Sequence, residues 1–438
     1  MAQFDLLIIG AGPGGYELAA GAAAQGLSVA LVERDRPGGT CLNRGCIPTK
    51  CLCHSADVVA TVANAAEFGV KVDGFQPDYT AAHTRMRSVV ATLRENVKSV
   101  LRNVTLIEGE ARFLPDGSIA VGDERYTAVR TVIATGSTPA RIPVKGAEFA
   151  ITSDELLGMD TLPESVTIIG GGVIGIEFAA IMNAFGCQVT VIEYCKEILP
   201  PMDRDIAKRL RSMLSRRGIK IVTSAAVTSI ENDGTVTYEC KGKAETCRSE
   251  LVVMAVGRRP VIPEGIAEAG IELNQRGFIK VDSGFMTSRD GVYAVGDVNG
   301  LCMLAHAATA QAMSLIGEIE NLDVIPSAVF TTPEIGMAGL TEEICKDRGL
   351  DYKVSKSMFG ANGKAIASGE GEGFVKLIYR PADGHIYGCH ILGPHASDLI
   401  QEVVNVMASD LGTAAIARAV HGHPTISEVV ASAARSAH

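Results

Sequence analysis

The chain has 438 residues, of which 47% are hydrophobic and 21% are charged, and this composition excludes a disordered or fibrous protein. Its formal net charge of −10 comes without a basic run, so the sequence offers no electrostatic footprint for nucleic acid or for an anionic membrane. We find neither an apolar run of the ~20 residues that a bilayer requires nor a signal peptide, and the 11 cysteines are scattered, so we expect a cytoplasmic protein without structural disulfides.

Two strand–turn–helix–strand units organise the first half of the chain. Residues 4–9 form a continuous apolar strand that ends at Gly10, an Ala-rich helix follows as far as Gln25, and a second strand ends at Glu33. The same order recurs over residues 165–193, where Gly170 lies 160 residues after Gly10. This duplication predicts two nucleotide-binding units in one chain.

The remaining segments predict a mixed α/β protein. We expect a helix over 81–103, a small antiparallel sheet over 104–135, a parallel strand near 252–260 and a strand over 287–297. From about residue 326 the pattern is typical of antiparallel strands, and helices are expected over 396–408 and 413–420. The sequence therefore predicts an α/β fold with two Rossmann-like dinucleotide-binding domains and a C-terminal α+β domain.

The glycines of the first unit indicate a phosphate site. Gly10, Gly12, Gly14 and Gly15 permit a tight turn and bring the backbone close to a pyrophosphate at a helix N-terminus, where free N–H groups favour anions. Glu33, at the end of the next strand, could accept hydrogen bonds from ribose hydroxyls and would repel a 2′-phosphate. With the flanking strand, helix and acid, the motif predicts a dinucleotide site.

The second unit repeats this arrangement with Gly170, Gly172, Gly175 and Glu193. No arginine cluster follows Glu193, so we predict NAD rather than NADP. Two sites in one chain suggest one nicotinamide and one flavin, because hydride passes between these two cofactors. The alternative is a duplicated fold with one degenerate site, which is disfavoured because both copies keep their glycines and their acid.

A third motif, GGTCLNRGCIPTK, contains two cysteines five residues apart. Cys41 and Cys46 could close a small loop, and a thiolate near a helix start and near Lys50 would be reactive. The alternative of a zinc site that includes Cys51, Cys53 and His54 lacks the usual ligand spacing. Buried free cysteine is the expectation for six of the cysteines elsewhere in the chain, namely Cys187, Cys240, Cys247, Cys302, Cys345 and Cys389.

The fourth motif, HGHPTISE, lies near the C-terminus. His423 could accept a proton from a thiol, and Glu428 could hold its ring in one tautomer. A surface histidine pair, or a metal site made by His421 and His423, explains the same residues, and their chemistry alone does not decide between these interpretations.

The motif GGTCLNRGCIPTK, the two glycine units, the segment YAVGD at residues 293–297 and the terminal HGHPTISE occur in the order and at the separations typical of one family. They resemble the pyridine nucleotide-disulfide oxidoreductases, a family of flavin disulfide reductases, and within them the dihydrolipoamide dehydrogenases. The resemblance covers essentially the whole chain. It implies an oxidoreductase that converts protein-bound dihydrolipoamide to lipoamide while NAD⁺ is reduced to NADH, with a redox-active disulfide and FAD. It also implies domains over 1–149 for FAD, 150–270 for NAD, 271–325 to complete the FAD site, and 326–438 for dimerisation.

The resemblance implies a role for each site residue. Cys41 is the interchange thiol, and Cys46 is the thiolate that contacts the flavin. Lys50 pairs with Glu177 beside the flavin, and His423 is the base that Glu428 orients. Gly296 and Asp297 hold the flavin, and the remaining cofactor contacts are assigned to Arg34, Gly39, Thr40, Thr135, Gly136, Ser137 and Gly257.

The resemblance also implies partners. A homodimer is expected, because His423 serves the cysteine pair of the other subunit, and the His423–Pro424 bond is expected to be cis. A lipoylated acyltransferase or carrier protein of a 2-oxo-acid dehydrogenase or glycine cleavage complex would supply the substrate. Glutathione reductase, mercuric reductase, a flavin oxidase or quinone reductase, and a structural subunit of a complex are the competing interpretations.

Overall fold

The computed structural model describes residues 2–437. The strands, numbered in chain order, are β1 Ala2–Ile9, β2 Val29–Glu33, β3 Thr105–Glu108, β4 Ala111–Phe113, β5 Ile119–Val121, β6 Glu124–Ile133, β7 Ser137–Pro139, β8 Ile151–Thr152, β9 Ser165–Ile169, β10 Gln188–Ile192, β11 Lys220–Val222, β12 Ala225–Ile230, β13 Thr235–Cys240, β14 Lys243–Arg248, β15 Leu251–Met254, β16 Arg258–Pro260, β17 Val292–Ala294, β18 Ser327–Val329, β19 Glu334–Gly339, β20 Lys353–Met358, β21 Phe374–Tyr379 and β22 Ile386–Gly393. The helices are α1 Pro13–Ala24, α2 Gly39–Arg44, α3 Cys46–Ala63, α4 Tyr79–Val100, α5 Ser153–Leu156, α6 Val173–Ala184, α7 Arg204–Arg216, α8 Ala305–Ser314, α9 Glu342–Asp347, α10 Gly363–Ala367, α11 Ala396–Ala408, α12 Thr413–Arg418 and α13 Glu428–Arg435.

The first compact unit combines three segments, which are the residues up to 51, 81–140 and 258–322. Its main sheet has the order β3-β2-β1-β6, and these strands pair in parallel. β17 extends the parallel sheet along one half of β6, while the antiparallel pair β4 and β5 lies along the other half. β1 is buried on both faces, with Leu7 and Ile8 fully buried, which is why its sequence is a continuous apolar run.

The expectation of a small antiparallel sheet over 104–135 is wrong in part. β3 pairs in parallel with β2, and β6 pairs in parallel with β1, so only β4 and β5 form an antiparallel hairpin against β6. The partners of β3 and β6 come from a distant part of the chain, and local alternation of residues carries no information about them. The expected strand over 287–297 is shorter in the structure, because only β17 is extended.

The second compact unit contains residues 52–80, 141–257 and those from 323 onward. Its nucleotide-binding part has a parallel sheet in the order β11-β10-β9-β15-β8 and a separate antiparallel sheet of β12, β13 and β14. Its C-terminal part has the antiparallel sheet β18-β19-β22-β21-β20. α11 and α13 pack their apolar faces onto this sheet, where Val403, Val430 and Leu377 are fully buried.

The predicted fold class is confirmed, since two Rossmann-like sheets and a C-terminal antiparallel sheet with helices are present. The helix expected over 396–408 has the observed bounds of α11, and the repeat over 165–193 is observed as β9, α6 and β10. The division into four domains stays a prediction. Among residues 2–437, the helices are all too short or too polar to cross a lipid bilayer.

Candidate active site

The first glycine turn joins β1 to α1 and excludes side chains. Gly10 has a φ of +103°, and a Cβ there would lie 2.5 Å from the carbonyl oxygen of Ala134. A Cβ on Gly15 would lie 1.8 Å from the carbonyl oxygen of Gly10. A Cβ on Gly12, by contrast, would meet no described atom within 4 Å, so the space over the start of α1 is open. The turn thus exposes backbone at a helix N-terminus, where a pyrophosphate fits.

The second glycine turn, between β9 and α6, repeats this geometry almost atom for atom. Gly170 has a φ of +109°, and a Cβ there would lie 2.4 Å from the carbonyl oxygen of Ala255. Gly172 caps α6 with φ −73° and ψ −176°, and Gly12 caps α1 with φ −72° and ψ −177°. A Cβ on Gly175 would lie 2.0 Å from the carbonyl oxygen of Gly170. The backbone geometry of the second turn is therefore intact rather than degenerate.

The two acids occupy equivalent positions beside the turns. Glu33 accepts the backbone N–H of Ala11 at 2.7 Å and that of Asp35 at 2.8 Å. Glu193 accepts the backbone N–H of Gly171 at 2.5 Å and that of Cys195 at 2.6 Å. Each carboxylate oxygen has a second lone pair, so both groups are held in place and can still accept from ribose hydroxyls. The residues present therefore fit two bound dinucleotides.

Gly14 distinguishes the first turn from the second. A Cβ on Gly14 would lie 2.9 Å from the carbonyl oxygen of Ala308 in α8, whereas the equivalent position of the second motif is Ile174. At the first turn the later helix α8 packs across α1, and this close contact explains the glycine at position 14. Helix α8 lies far along the chain from the first glycine motif, so the sequence of the motif did not predict that Gly14 is required by this packing.

The segment with the two cysteines is attached to the first glycine turn. The N–H of Gly38 donates to the carbonyl oxygen of Ala11 at 2.7 Å, and Gly39, the first residue of α2, packs against Gly12. Gly45 separates α2 from α3 with φ −149° and ψ −110°. A Cβ on Gly45 would lie 2.9 Å from the carbonyl oxygen of Thr40, so the tight joint between the two helices requires glycine.

Cys41 and Cys46 are free thiols, and their side chains hydrogen-bond to each other. This contact with Cys46, together with burial, raises the pKa of Cys41, and the charge of Lys50 only partly opposes the effect. The sulfur of Cys46 lies at the start of α3, an 18-residue helix whose N-terminal dipole favours negative charge. Hydrogen bonding to Cys46 and burial therefore keep Cys41 protonated to a higher pH than an ordinary cysteine, in a pair that lies at the start of a helix.

Ser137, Asp297 and Thr135, which are predicted cofactor contacts, all form hydrogen bonds within the first unit. The hydroxyl of Ser137 donates to Asp297, and Arg258 donates to the hydroxyl and to the carbonyl oxygen of Ser137 at 2.7 and 2.8 Å. The hydroxyl of Thr135 donates to the carbonyl oxygen of Val261 at 2.6 Å. Gly136 in the first unit, and Gly257 in the second, have positive φ and open space where a Cβ would lie.

Sequence reasoning missed the polar residues that support this cluster. Gln311, which is buried, accepts the N–H of Gly296 at 2.8 Å and the side-chain amide of Asn299 at 2.9 Å. Arg258 was also missed, although an arginine directly after a strand and a glycine is a visible signal. Arg34 forms an exposed ion pair with Glu110 at 2.8 Å.

The two histidines of the C-terminal motif have different carboxylate partners. His423 is exposed, and its Nδ1 lies 3.0 Å from Oε1 of Glu428. His421 is buried, and its Nε2 lies 2.8 Å from Oε1 of Glu402. Because each ring faces its own carboxylate, the geometry disfavours a metal ion shared by both. Peptide bond His423–Pro424 is cis, as expected.

Glu428 is well placed to orient the exposed ring. Its Oε2 accepts the N–H of Thr425 at 2.9 Å, and this bond together with the imidazole of His423 lowers the pKa of Glu428. An ionised carboxylate beside Nδ1 accepts a hydrogen bond from that nitrogen, which therefore carries the proton. Nε2 then keeps a free lone pair in the neutral ring. His423 is therefore arranged as a proton acceptor.

Glu177 is buried in α6 and accepts the N–H of Phe330 at 2.9 Å. Its pairing with Lys50 stays a prediction, as do the cofactor contacts of Thr40 and the approach of His423 to the cysteine pair. Of the other cysteines, Cys187, Cys240, Cys345 and Cys389 are buried as expected, but Cys247 and Cys302 are half-buried. Residues 2–437 contain no cluster of three His, Cys, Asp or Glu side chains that could hold a metal ion.

Comparison with known proteins agrees with this geometry. Residues 4–312 match the family described as pyridine nucleotide-disulphide oxidoreductase, and residues 325–434 match the dimerisation domain of the same family, which supports a homodimer. Similar curated proteins are named dihydrolipoyl dehydrogenase. The protein from Chlamydia muridarum (strain MoPn / Nigg) is 36% identical and covers 98% of this chain and 96% of its own. That from Bacillus subtilis (strain 168) is 36% identical and covers 99% of this chain and 98% of its own.

Solved structures give the same result. The HOCl-induced flavoprotein disulfide reductase RclA from Escherichia coli has a TM-score of 0.87 at 29% identity and covers 98% of this chain and 99% of its own. Its Cu(II) complex has a TM-score of 0.88 at 28% identity, with 99% of both chains covered. FAD and NAD are the cofactors, in agreement with the two glycine turns. The chain belongs to the pyridine nucleotide-disulfide oxidoreductase family, as its two family matches and its relatives over nearly the full length show.

Proposed function

We propose that this protein oxidises dihydrolipoamide on a lipoylated carrier and reduces NAD⁺, using the Cys41–Cys46 pair as its redox centre. The observation that carries the proposal is the hydrogen-bonded thiol pair at the start of α3, in a segment attached to the first nucleotide turn. The curated relatives named dihydrolipoyl dehydrogenase support the choice of substrate. The predicted site residues and the four domains given above are part of this proposal.

The reaction exchanges one dithiol for another. A sulfur of dihydrolipoamide attacks Cys41 of the oxidised pair, the Cys41–Cys46 bond breaks, and a mixed disulfide forms on Cys41. The second substrate sulfur then displaces Cys41, so that lipoamide leaves and both enzyme sulfurs are reduced. When bound, FAD supplies the two-electron relay between the reduced sulfurs and NAD⁺. The balance is one dihydrolipoamide and one NAD⁺ consumed for one lipoamide, one NADH and one proton.

The protein supplies the proton chemistry. The thiolate is the nucleophile, so the substrate thiol must lose its proton before it attacks. We assign this proton to Nε2 of His423, because Glu428 occupies Nδ1 at 3.0 Å. The exposure of His423 is consistent with service to the cysteine pair of a second subunit. On the enzyme side, the raised pKa of Cys41 makes it a good acceptor of a proton as it leaves.

An anaerobic titration tests the proposal. Dihydrolipoamide should reduce the yellow protein and produce a long-wavelength charge-transfer band from the Cys46 thiolate, and NAD⁺ should then restore the original spectrum. Cys46→Ser should keep its flavin but lose the band and the turnover, whereas Cys247→Ser, a half-buried cysteine on β14, should behave like the unaltered protein. Flavin reduction by NADH without any reaction with dihydrolipoamide would refute the proposed substrate.

A second candidate comes from the structural match to RclA, which covers 99% of both chains in its Cu(II) complex. In this alternative the same cysteines pass electrons from the pyridine nucleotide to another acceptor, such as Cu(II), and lipoamide is not a substrate. Steady-state oxidation of NADH with lipoamide, Cu(II), glutathione disulfide or a quinone as the acceptor separates these activities. A kcat/KM that is highest for lipoamide supports the first proposal.

A further inference from the structure

The loop between β10 and α7, residues 193–203, lies against the second nucleotide turn. The N–H of Leu199 donates to the carbonyl oxygen of Gly171 at 2.8 Å. A Cβ on Gly171 would lie 3.2 Å from a methyl carbon of Ile198 and 3.1 Å from Oε2 of Glu193. The loop therefore supports the turn from behind, and it begins with Glu193, the acid predicted to bind the ribose hydroxyls.

Leu199 has an unfavourable backbone conformation within this loop. Its φ is +50°, in the left-handed region that a branched side chain rarely adopts, and its side chain is fully buried. The carbonyl oxygen of Leu199 accepts the N–H of Met202 at 2.8 Å, which closes a turn toward Asp203. Such a conformation persists only where the surrounding structure holds it, so the two ends of the loop must be well anchored.

Asp203 anchors the far end of the loop. It is fully buried, and its Oδ1 accepts the N–H of Asp205 at 3.1 Å, which caps the start of α7. Its Oδ2 accepts the N–H of Glu342 at 3.3 Å. Both oxygens also accept from Nζ of Lys376 at 3.0 Å.

Lys376 lies on β21 and is almost completely buried. Besides Asp203, its ammonium group contacts Oδ2 of Asp205 at 3.0 Å and Oε2 of Glu342 at 2.6 Å. Burial by itself would lower the pKa of Lys376, but the carboxylates outweigh it and raise the pKa, so the side chain stays charged. His390, the residue of β22 that pairs with Lys376, donates from Nε2 to the carbonyl oxygen of Leu340 at 2.9 Å and adds no negative charge to the cluster.

We propose that Lys376 is a positioning residue for the pyridine nucleotide. Its ammonium group holds Asp203, Asp203 fixes the end of the loop, and the loop keeps Leu199 against Gly171 and Glu193 beside the ribose site. This inference rests on the proposed function only in its use of the second turn as the NAD site. The proposal adds Lys376, on strand β21 of the C-terminal sheet, to the residues that determine NAD binding. Lys376 would act on the second glycine turn through Asp203 and the loop rather than by direct contact.

The test compares two half-reactions in the full-length flavin-containing protein. Lys376→Met should raise the Kd for NADH and the KM for NAD⁺ by about tenfold or more, because the turn and the acid lose their alignment. The rate at which dihydrolipoamide reduces the flavin should change less than about twofold, because the cysteine segment does not use this loop. Lys356→Met is the matched control, since Lys356 contacts only Asp205 of this cluster, at 2.7 Å on the exposed side.

Asp203→Asn provides a second variant if Lys376→Met does not fold. An asparagine keeps the cap on α7 but removes the charge that Lys376 holds, so NADH binding should weaken while the helix remains. Adding Lys376→Met to Asp203→Asn should then weaken NADH binding little further, because the two residues act through the same contact with each other. The proposal is wrong if either variant lowers the Tm without a change in NADH affinity, or slows both half-reactions equally. If dihydrolipoamide fails to reduce even the unaltered protein, the proposed substrate fails, and NADH binding still decides the role of Lys376.

Discussion

A Cβ placed on Gly39 would lie 2.6 Å from the Cα atom of Gly12, so the segment with the two thiols packs directly on the first nucleotide turn. Together with the Gly38–Ala11 hydrogen bond of 2.7 Å, this contact joins the redox pair to the dinucleotide site within one compact unit. In the proposed reaction, electron transfer between sulfur and flavin requires the two groups to be held close together, and this backbone contact would provide that proximity.

Gly39→Ala should therefore reduce flavin occupancy. The added methyl group clashes with Gly12, and Gly39 has a φ of +57°, so we expect a loss of about 1–3 kcal/mol in stability and a lower ratio of flavin to protein absorbance. Gly26→Ala is the control, because Gly26 also has a positive φ of +86° but no described atom lies within 4 Å of its Cβ position. Equal loss of flavin in both variants would show that backbone strain, and not the contact, is responsible.

In the reduced enzyme, the rate at which Cys41 is alkylated should depend on pH in the way expected for a thiol with a raised pKa. Hydrogen bonding to Cys46 and burial raise the pKa of Cys41, so less Cys41 thiolate exists at any given pH than for an ordinary cysteine. Since only the thiolate is alkylated, the rate of Cys41 carbamidomethylation should continue to rise from pH 7 to pH 10. Peptide mapping by mass spectrometry after timed reaction with iodoacetamide measures it. A rate for Cys41 that is already constant above about pH 8 would contradict the raised pKa.

His423→Gln should slow only the thiol half-reaction. General base catalysis contributes about 10²–10⁴-fold, so flavin reduction by dihydrolipoamide should fall by that factor. Oxidation of NADH by ferricyanide, which bypasses the thiols, should change little. His385→Gln serves as a control, because His385 forms a surface contact with Asp410 at 3.5 Å. An equal loss in both assays would indicate that His423 has a structural role.

Glu193 should control the choice between NAD and NADP. The 2′-phosphate of NADP would lie beside an ionised carboxylate, and repulsion at about 4 Å costs about 1 kcal/mol even in water and more in a buried site. The kcat/KM for NAD⁺ should therefore exceed that for NADP⁺, and Glu193→Gln should narrow the ratio. Glu231→Gln, an exposed acid in the same compact unit, should leave the ratio unchanged. Faster turnover of the unaltered protein with NADP⁺ would overturn the assignment.

Local sequence patterns predicted those elements whose structure depends mainly on the residues within the element itself. The helix over 396–408 was predicted with its observed bounds, because its apolar residues follow helical periodicity and pack on one sheet. The two glycine turns were predicted because positive φ at Gly10 and Gly170 and the close contacts at Gly15 and Gly175 admit no other residue. In each case the cause lies within about 25 residues of chain, or in backbone geometry that only glycine adopts.

Long-range contacts were beyond the sequence. Strand β3 was predicted to pair antiparallel with its neighbours in the chain, whereas it pairs in parallel with β2, which lies more than 70 residues away. Gly14 was assigned to the phosphate turn alone, although α8 packs across it. The cluster of Lys376 with Asp203 and Glu342 gave no signal at all, because a lysine in a strand is usually solvated.

The sequence by itself determined the fold class and the two dinucleotide turns with their acids, because these depend on short spacings and on residue chemistry. The roles of the thiol pair and of the histidine–glutamate pair came from the resemblance of their motifs to a known family. Only the tertiary structure decided that contact with Cys46 and burial raise the pKa of Cys41, which carboxylate holds each histidine, and how a buried lysine in the C-terminal sheet reaches the loop behind the second turn. Those outcomes depend on burial and on contacts between residues far apart in the chain. Local sequence patterns do not show which distant residues come into contact.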